Sequence, residues 1–262
     1  MNSAPTRSVP AAAKKISKRR KIFIFRLVMR CVISVLSVAV MFLFPSQLNI
    51  LKGWSFFTEF SVFHLLWLLW MVDMALKLTP SRGYMTLGSQ KQFGKFYIEA
   101  KNGYDREELR SYIRAANKRA VLVMLAWLLL NAIPAVLRLL NIIDEKWMLI
   151  VTLFYYISDL ICVLIWCPFR LAMGNRCCTT CRIYNWDHFF MFTPMVLIPS
   201  FFSLSLFAAG LAVWIIWEGA LILHPERFWD RSNEAIRCIN CTDKVCTQFC
   251  PKRKALPSKI EK

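Results

Sequence analysis

Seven cysteines in the C-terminal third carry the most chemistry that spacing alone suggests. Cys177, Cys178 and Cys181 form one group, and Cys238, Cys241, Cys246 and Cys250 form a second. A C-x2-C spacing lets two thiolates converge on one ion, and two such knuckles supply the four ligands of a tetrahedral zinc site. Cys178, Cys181, Cys238 and Cys241 fit that pattern, and a zinc there would clip the tail to an earlier loop as a structural element.

The second group reads C-x2-C-x4-C-x3-C-P and resembles the bacterial ferredoxin cluster run, where thiolates hold an iron-sulfur centre and a terminal Cys-Pro recurs. Its central spacing is two residues longer, so iron-sulfur stands as the alternative cofactor beside zinc. Free thiols acting as a redox sensor, with the adjacent pair Cys177 and Cys178 reacting reversibly, need no metal. Cys31 and Cys162, within apolar runs, read as small packing residues.

Three further residues are candidates for a polar site inside or at the mouth of an apolar region. Asp159 lies about 16 Å into an apolar run if that run is helical, a depth at which ionisable groups are costly and face a bundle interior. Asn131 or His64 are its expected partners. His188 and His224 flank the last apolar stretch at similar distances from its centre and are expected at one mouth. Asp73 and Glu218 read as residues near helix ends, within reach of water and of Lys77 or Arg227.

The elements that must position these residues are membrane helices. Of 262 residues, 57% are hydrophobic, with 10 Trp and 20 Phe, too apolar for a water-soluble domain of this size. The formal charge of +18 does not point to nucleic acid, because the basic residues lie between long apolar runs and act as topology signals and contacts for anionic lipid. The run after Lys14–Lys21 is too long for a signal-peptide core and contains Arg26 and Arg30, so it is expected to be retained.

The predicted architecture is all-α: a basic tail over 1–21, a six-helix transmembrane domain over 22–223, and a cytoplasmic Cys-rich tail over 224–262. Spans are expected near 23–44, 56–77, 121–140, 148–171, 189–204 and 206–223. The 35 residues from 189 to 223 are too long for one crossing, since a helix of that length measures about 52 Å against a hydrocarbon core of about 30 Å. Folding them as a hairpin keeps the basic tail inside, with both termini cytoplasmic. In the cytoplasmic loop 79–119, Asp105-Arg-Glu-Glu108 predicts a capped helix start running on into the third span.

The stretch from Arg176 through Cys250, with CCTTCRIYNWDH and HPERFWDRSNEAIRCINC, resembles a group of polytopic membrane proteins of anaerobic bacteria that carries no assigned function. The resemblance implies a bacterial cytoplasmic membrane and an anaerobic setting, which suits iron-sulfur. No P-loop, G-x-S-x-G, H-E-x-x-H or dinucleotide fingerprint is present, so the sequence does not assign an enzyme activity. The function classes that stand are a zinc-clipped membrane protein, an electron-transfer component with a soluble redox partner, a transporter or scaffold using Asp159, and a thiol redox sensor.

Overall fold

The computed structural model describes residues 17–80, 87–101, 103–175, 177–240 and Val245. Most of the expected basic tail, and Cys241, Cys246 and Cys250, lie outside the described residues. The described residues form eight α-helices: α1 (Lys18–Leu43), α2 (Phe63–Leu78), α3 (Ser89–Gln92), α4 (Arg106–Leu139), α5 (Glu145–Leu164), α6 (Pro168–Met173), α7 (Asp187–Phe192) and α8 (Phe201–Leu223). Among the described residues the only β pairing consists of two isolated bridges.

Helix starts are set by local hydrogen bonds to otherwise orphaned backbone donors. The Ser17 hydroxyl accepts from Arg20 N–H at 3.1 Å, and the Asp105 carboxylate accepts from Glu107 N–H at 2.8 Å. The Ser200 hydroxyl accepts from Ser203 N–H at 3.2 Å. From the Asp105 cap, α4 runs without a break through its basic first turns into the apolar stretch ending at Leu139.

Four helices, α1, α4, α5 and α8, are long and apolar enough to cross a membrane. Their outward faces carry large exposed apolar side chains, among them Phe25, Val35, Leu129 and Ile222, a surface that water cannot cover cheaply and a bilayer can. Inward, Trp70, Phe192, Phe202 and Trp217 are fully buried in the main core, where α2, α5, α7 and α8 meet.

Three of the six expected spans take a different form; the fourth, expected to run to 171, ends at Leu164. The second begins at Phe63 rather than near residue 56, because the preceding turns are pinned by side chains. The Ser61 hydroxyl donates to Gln47 O at 2.8 Å, and His64 Nε2 lies 2.8 Å from Phe56 O. The last apolar stretch does fold back, at Ile198–Ser200, where Pro199 opens the split that its length requires, so the fifth span ends short of 204. Pro199 disfavours helical geometry at the residue before it, and Ile198 is extended (φ −108°, ψ 109°). The short α7 and a 3-10 segment, Thr193–Leu197, lead into the break, and a full-length α8 leaves it.

This returning segment runs alongside α2 from one end to the other. At the far end Phe201 N–H donates to Gly53 O at 2.9 Å, in the connection before α2. At the near end Asp187 pairs with Lys77, in the last turn of α2.

The near end is closed by a cap in which residues 87–101 pack on residues 225–237. Ala100 N–H donates to Ser232 O at 3.1 Å, and Glu234 N–H donates to Ile98 O at 2.7 Å. The short α3 is wholly buried there.

The close fit of α7 on α8 depends on Gly210, where a Cβ would sit 3.2 Å from His188 O and 3.3 Å from Phe192 Cδ2, whereas nothing lies within 4 Å of a Cβ at Gly219. Gly210→Val is expected to lower stability by about 1–3 kcal/mol through overpacking. Gly219→Ala, on the open side, should raise it by about 0.5–1 kcal/mol. Thermal unfolding of the detergent-solubilised pair reads both signs.

Candidate functional site

A continuous set of charged side chains crosses the interior toward the capped end. Arg30, thirteen residues into α1, donates from Nη1 to Asp159 Oδ2 of α5 at 2.7 Å and to Tyr156 O at 2.8 Å. Its Nη2 reaches Asp73 Oδ2 of α2 at 3.3 Å, and its guanidinium lies 4.2 Å from the Tyr156 ring centroid.

Asp73 Oδ2 lies 3.4 Å from His188 Nε2, and His188 Nδ1 lies 2.9 Å from Asp187 Oδ1. Asp187 in turn takes the ammonium of Lys77, which is almost wholly buried. The order in space is therefore Asp159, Arg30, Asp73, His188, Asp187, Lys77.

Two cations and three carboxylates leave this set with one negative charge in excess. Both nitrogens of His188 face carboxylates, so an imidazolium fits the site and brings the six groups to neutrality. Within this set, His188 stands between Asp73 and Asp187 at 3.4 and 2.9 Å, an arrangement that can pass a proton, while the permanently charged Arg30 holds Asp159 and Asp73 in place.

Asp159 and Asp187 also border a cavity of about 350 Å³ between α4, α5 and the segment before α7. The same cavity is lined by four cysteines: Cys162, Cys167, Cys178 and Cys181. All four are free thiols. Cys162, in the last turn of α5, and Cys167, which begins α6 in extended conformation, are hydrogen-bond partners of one another. Cys178 and Cys181 face the cavity across a tight turn in which Cys181 N–H donates to Cys178 O at 3.1 Å.

Burial raises the Cys178 thiol to about 12 and also raises that of Cys181. Both are held as thiols rather than thiolates unless a metal or cation draws the proton off.

The cap holds a second buried cation. Lys91 of α3 donates to Cys181 O at 2.8 Å beneath the rings of Trp217 and Phe228, 6.0 and 5.7 Å from its Nζ. Desolvation lowers its amine to about 8. The tail meets the bundle at Val245, buried with Leu87 of the cap and with Leu160 and Val163 of α5.

Of the residues singled out from sequence, Cys178, Cys181 and Asp159 share the cavity, and His188 is joined to Asp159 through Asp73 and Arg30. Cys177 stands beside them, its N–H donating to Asn175 Oδ1. His224 stands apart from the relay, 3.3 Å from Glu226 on the next turn of chain. Cys238 is disulfide-bonded and so is not a free ligand for a metal. No group of three or more metal-ligating side chains converges on one point among the described residues.

The expected partners of Asp159 are elsewhere. Asn131 donates to Trp127 O and accepts from the Tyr155 hydroxyl, while His64 serves the loop before α2. Arg30 takes their place. The signal was present, since an arginine in the middle of an apolar run is as costly as an aspartate and needs a counter-ion of opposite sign. Asp73 is half-buried, its carboxylate turned to Arg30 and His188 rather than to Lys77 or Arg227. Glu218 pairs with Arg182 and accepts from the Trp186 indole at 2.7 Å, rather than meeting Lys77 or Arg227.

Comparison with family models, with curated proteins and with solved structures finds no match to this chain. The reading of the site rests on its geometry.

Arg30→Met leaves two carboxylates without their cation and is expected to cost about 3–5 kcal/mol. Asp159→Asn keeps a hydrogen-bond acceptor for Arg30 and should cost about 1–3 kcal/mol. Equal losses in the two variants, measured by thermal unfolding in detergent, would contradict the central place given to Arg30.

Lys91 supplies a pH signature. Between about pH 8 and 10.5 the unfolded amine holds a proton that the native amine has released, so stability contributed at this position rises with pH across that window. The wild-type melting temperature relative to Lys91→Met should climb from pH 8 to pH 10.5, and a flat difference would place the native amine at its ordinary value.

Proposed function

We propose that this chain is a membrane-embedded redox protein whose thiols carry the electrons and whose buried carboxylates take up and release the protons. The observation that supports this most directly is the shared cavity, in which four cysteines lie along one wall system with the two carboxylates, Asp159 and Asp187, that end or interrupt the relay. Two-electron thiol chemistry releases or consumes protons with every turnover. A dry interior has no water to take them, so such chemistry needs fixed acids at hand.

In this reading the chain crosses a bacterial cytoplasmic membrane six times, with α2 and the segment from α7 to Ser200 as the two shorter crossings. Both termini, the cap and the Cys-rich tail lie on the cytoplasmic side. Positive-inside charge supports that orientation, because the cap end carries Arg106, Arg110 and Arg114 along a groove of about 470 Å³ with Tyr104 and Glu226. Those arginines suit anionic lipid headgroups. A soluble redox partner would meet the protein at the cap.

A second reading, a cysteine-ligated metal centre, is favoured by the Cys178–Cys181 turn and by the burial of Val245, between the tail cysteines in sequence, against the end of α5. Cys177, Cys178 and Cys181 with Cys241, Cys246 and Cys250 would then supply ligands. Zinc would clip the tail as a structural element, whereas an iron-sulfur cluster would make the centre itself the electron carrier. The third reading, transport of an ion past Asp159, would use the same relay without electrons.

Elemental analysis, an absorption spectrum and a thiol titration on protein purified without oxygen separate these. The redox reading expects thiols that oxidise and re-reduce reversibly, with loss of that behaviour in Cys162→Ser and Cys167→Ser. Stoichiometric zinc lost in Cys178→Ser, with inert remaining thiols, would establish the clip instead. Iron with sulfide and a bleachable visible band would assign the electrons to a cluster.

A further inference from the structure

The cavity bordered by the cysteines has an opening that the thiol chemistry does not by itself explain. Its rim includes Leu130 of α4 and Phe154 of α5, both well inside their helices and 50% and 64% exposed, together with Trp166 at 58%. These side chains belong to the apolar outer surface that a bilayer covers. The cavity therefore opens sideways into lipid, and its occupant has to be soluble there.

The inner walls are flat and aromatic. Trp127 stacks on Phe190 with centroids 4.6 Å apart and planes 11° from parallel, and Tyr155 leans on Trp127 at 4.6 Å. Stacked rings of this kind leave slots that suit another flat ring. A volume of about 350 Å³ is in the range of small-molecule sites.

One polar group points to what that ring must carry. Trp127 is nine-tenths buried, and its indole N–H has no hydrogen-bond partner among the described residues. A buried donor left unsatisfied is costly and calls for an acceptor. The lining also includes Cys162, Cys167 and Asp159.

We propose that this lateral cavity binds a quinone, and that the Cys162 and Cys167 thiols exchange two electrons with it. The inference rests on the redox reading above and names its substrate class. A quinone is lipid-soluble, flat, and carries carbonyl acceptors for Trp127. It is also an acceptor of two electrons and two protons.

In the forward step the two S–H bonds break and one S–S bond forms between Cys162 and Cys167. Their two electrons and two protons pass to the ring, whose two carbonyls become the hydroxyls of a quinol. Asp159 is the group at the cavity wall that takes a thiol proton and hands it on, with Arg30 holding its charge. The reverse step, disulfide reduction by a quinol, uses the same atoms.

The test uses the reduced, full-length protein in lipid nanodiscs with duroquinone, whose fully substituted ring does not add covalently to thiols. The expected result is duroquinol formed in proportion to a Cys162–Cys167 disulfide mapped by peptide mass spectrometry, and none from Cys162→Ser/Cys167→Ser. Trp127→Phe should raise the half-saturating duroquinone concentration about tenfold through loss of one hydrogen bond.

Leu130→Trp, a change at the lipid-facing rim, should slow the quinone reaction at least tenfold while the small polar oxidant diamide still forms the disulfide. Diamide oxidation with no response to duroquinone would overturn the quinone site and leave the thiol redox reading standing. Failure of both oxidants would overturn both. Equal duroquinone rates in wild type and Leu130→Trp would mean that the quinone reaches the thiols by another route, and would overturn the cavity as its site.

Discussion

A guanidinium buried among apolar helices organises this protein. Arg30 cannot shed its proton at any accessible pH, and it sits on a helix whose outward face belongs in lipid. It must therefore find acceptors inside the bundle, and it finds them on two other helices at once, with Asp159 on α5 and Asp73 on α2. That requirement fixes which face of α1 turns inward, and hence how α1 packs on α5. From Asp73 the chain of charges continues through His188 and Asp187 to Lys77, so the placement of α7 beside the end of α2 follows from the same demand for neutrality.

The short α7 and the 3-10 segment after it are what allow the relay to reach the cysteines. Asp187 and His188 open α7 about 100° apart around its axis, so Asp187 meets Lys77 and the cavity while His188 reaches Asp73. Pro194 and Pro199 interrupt the ladder of backbone bonds, and Gly210 on α8 lets the interrupted segment come close. The break after α5 has a matching effect. Because α5 ends at Leu164 and α6 starts at Pro168, Cys167 falls in an extended stretch that turns its thiol back toward Cys162. Irregular backbone in a membrane protein is tolerated where protein surrounds it, and the stretch after α5 borders the cavity through Trp166 and Cys167.

The cap adds a different kind of constraint. Residues 87–101 and 225–237 are polar in composition, yet α3 is buried whole, with Lys91 enclosed between Cys181 O and aromatic rings. An ammonium held this way loses hydration and recovers only part of it from one carbonyl and the ring faces. Its value to the fold is positional, since it ties the loop carrying Cys181 to the base of α8 through the same residue that supports Trp217. The thiol layer is thus bracketed by α5 and α6 on one side and by the cap on the other.

Composition and charge placement were enough to read an all-helical membrane protein, a helix opening at Asp105 and running into an apolar stretch, and an interior role for Asp159. These rest on transfer free energy and local capping, which depend on residues near one another in the chain. The partner of Asp159 was legible only as a need for opposite charge: Arg30 lies 129 residues away, and its sign singles it out where spacing along the chain does not. Cys162 read as a small packing residue, and its nearness to Cys167 depends on where α5 stops. That stopping point and the meeting of thiols with buried charges were decided by tertiary packing, because only the folded bundle determines which buried charges are close enough to neutralise one another.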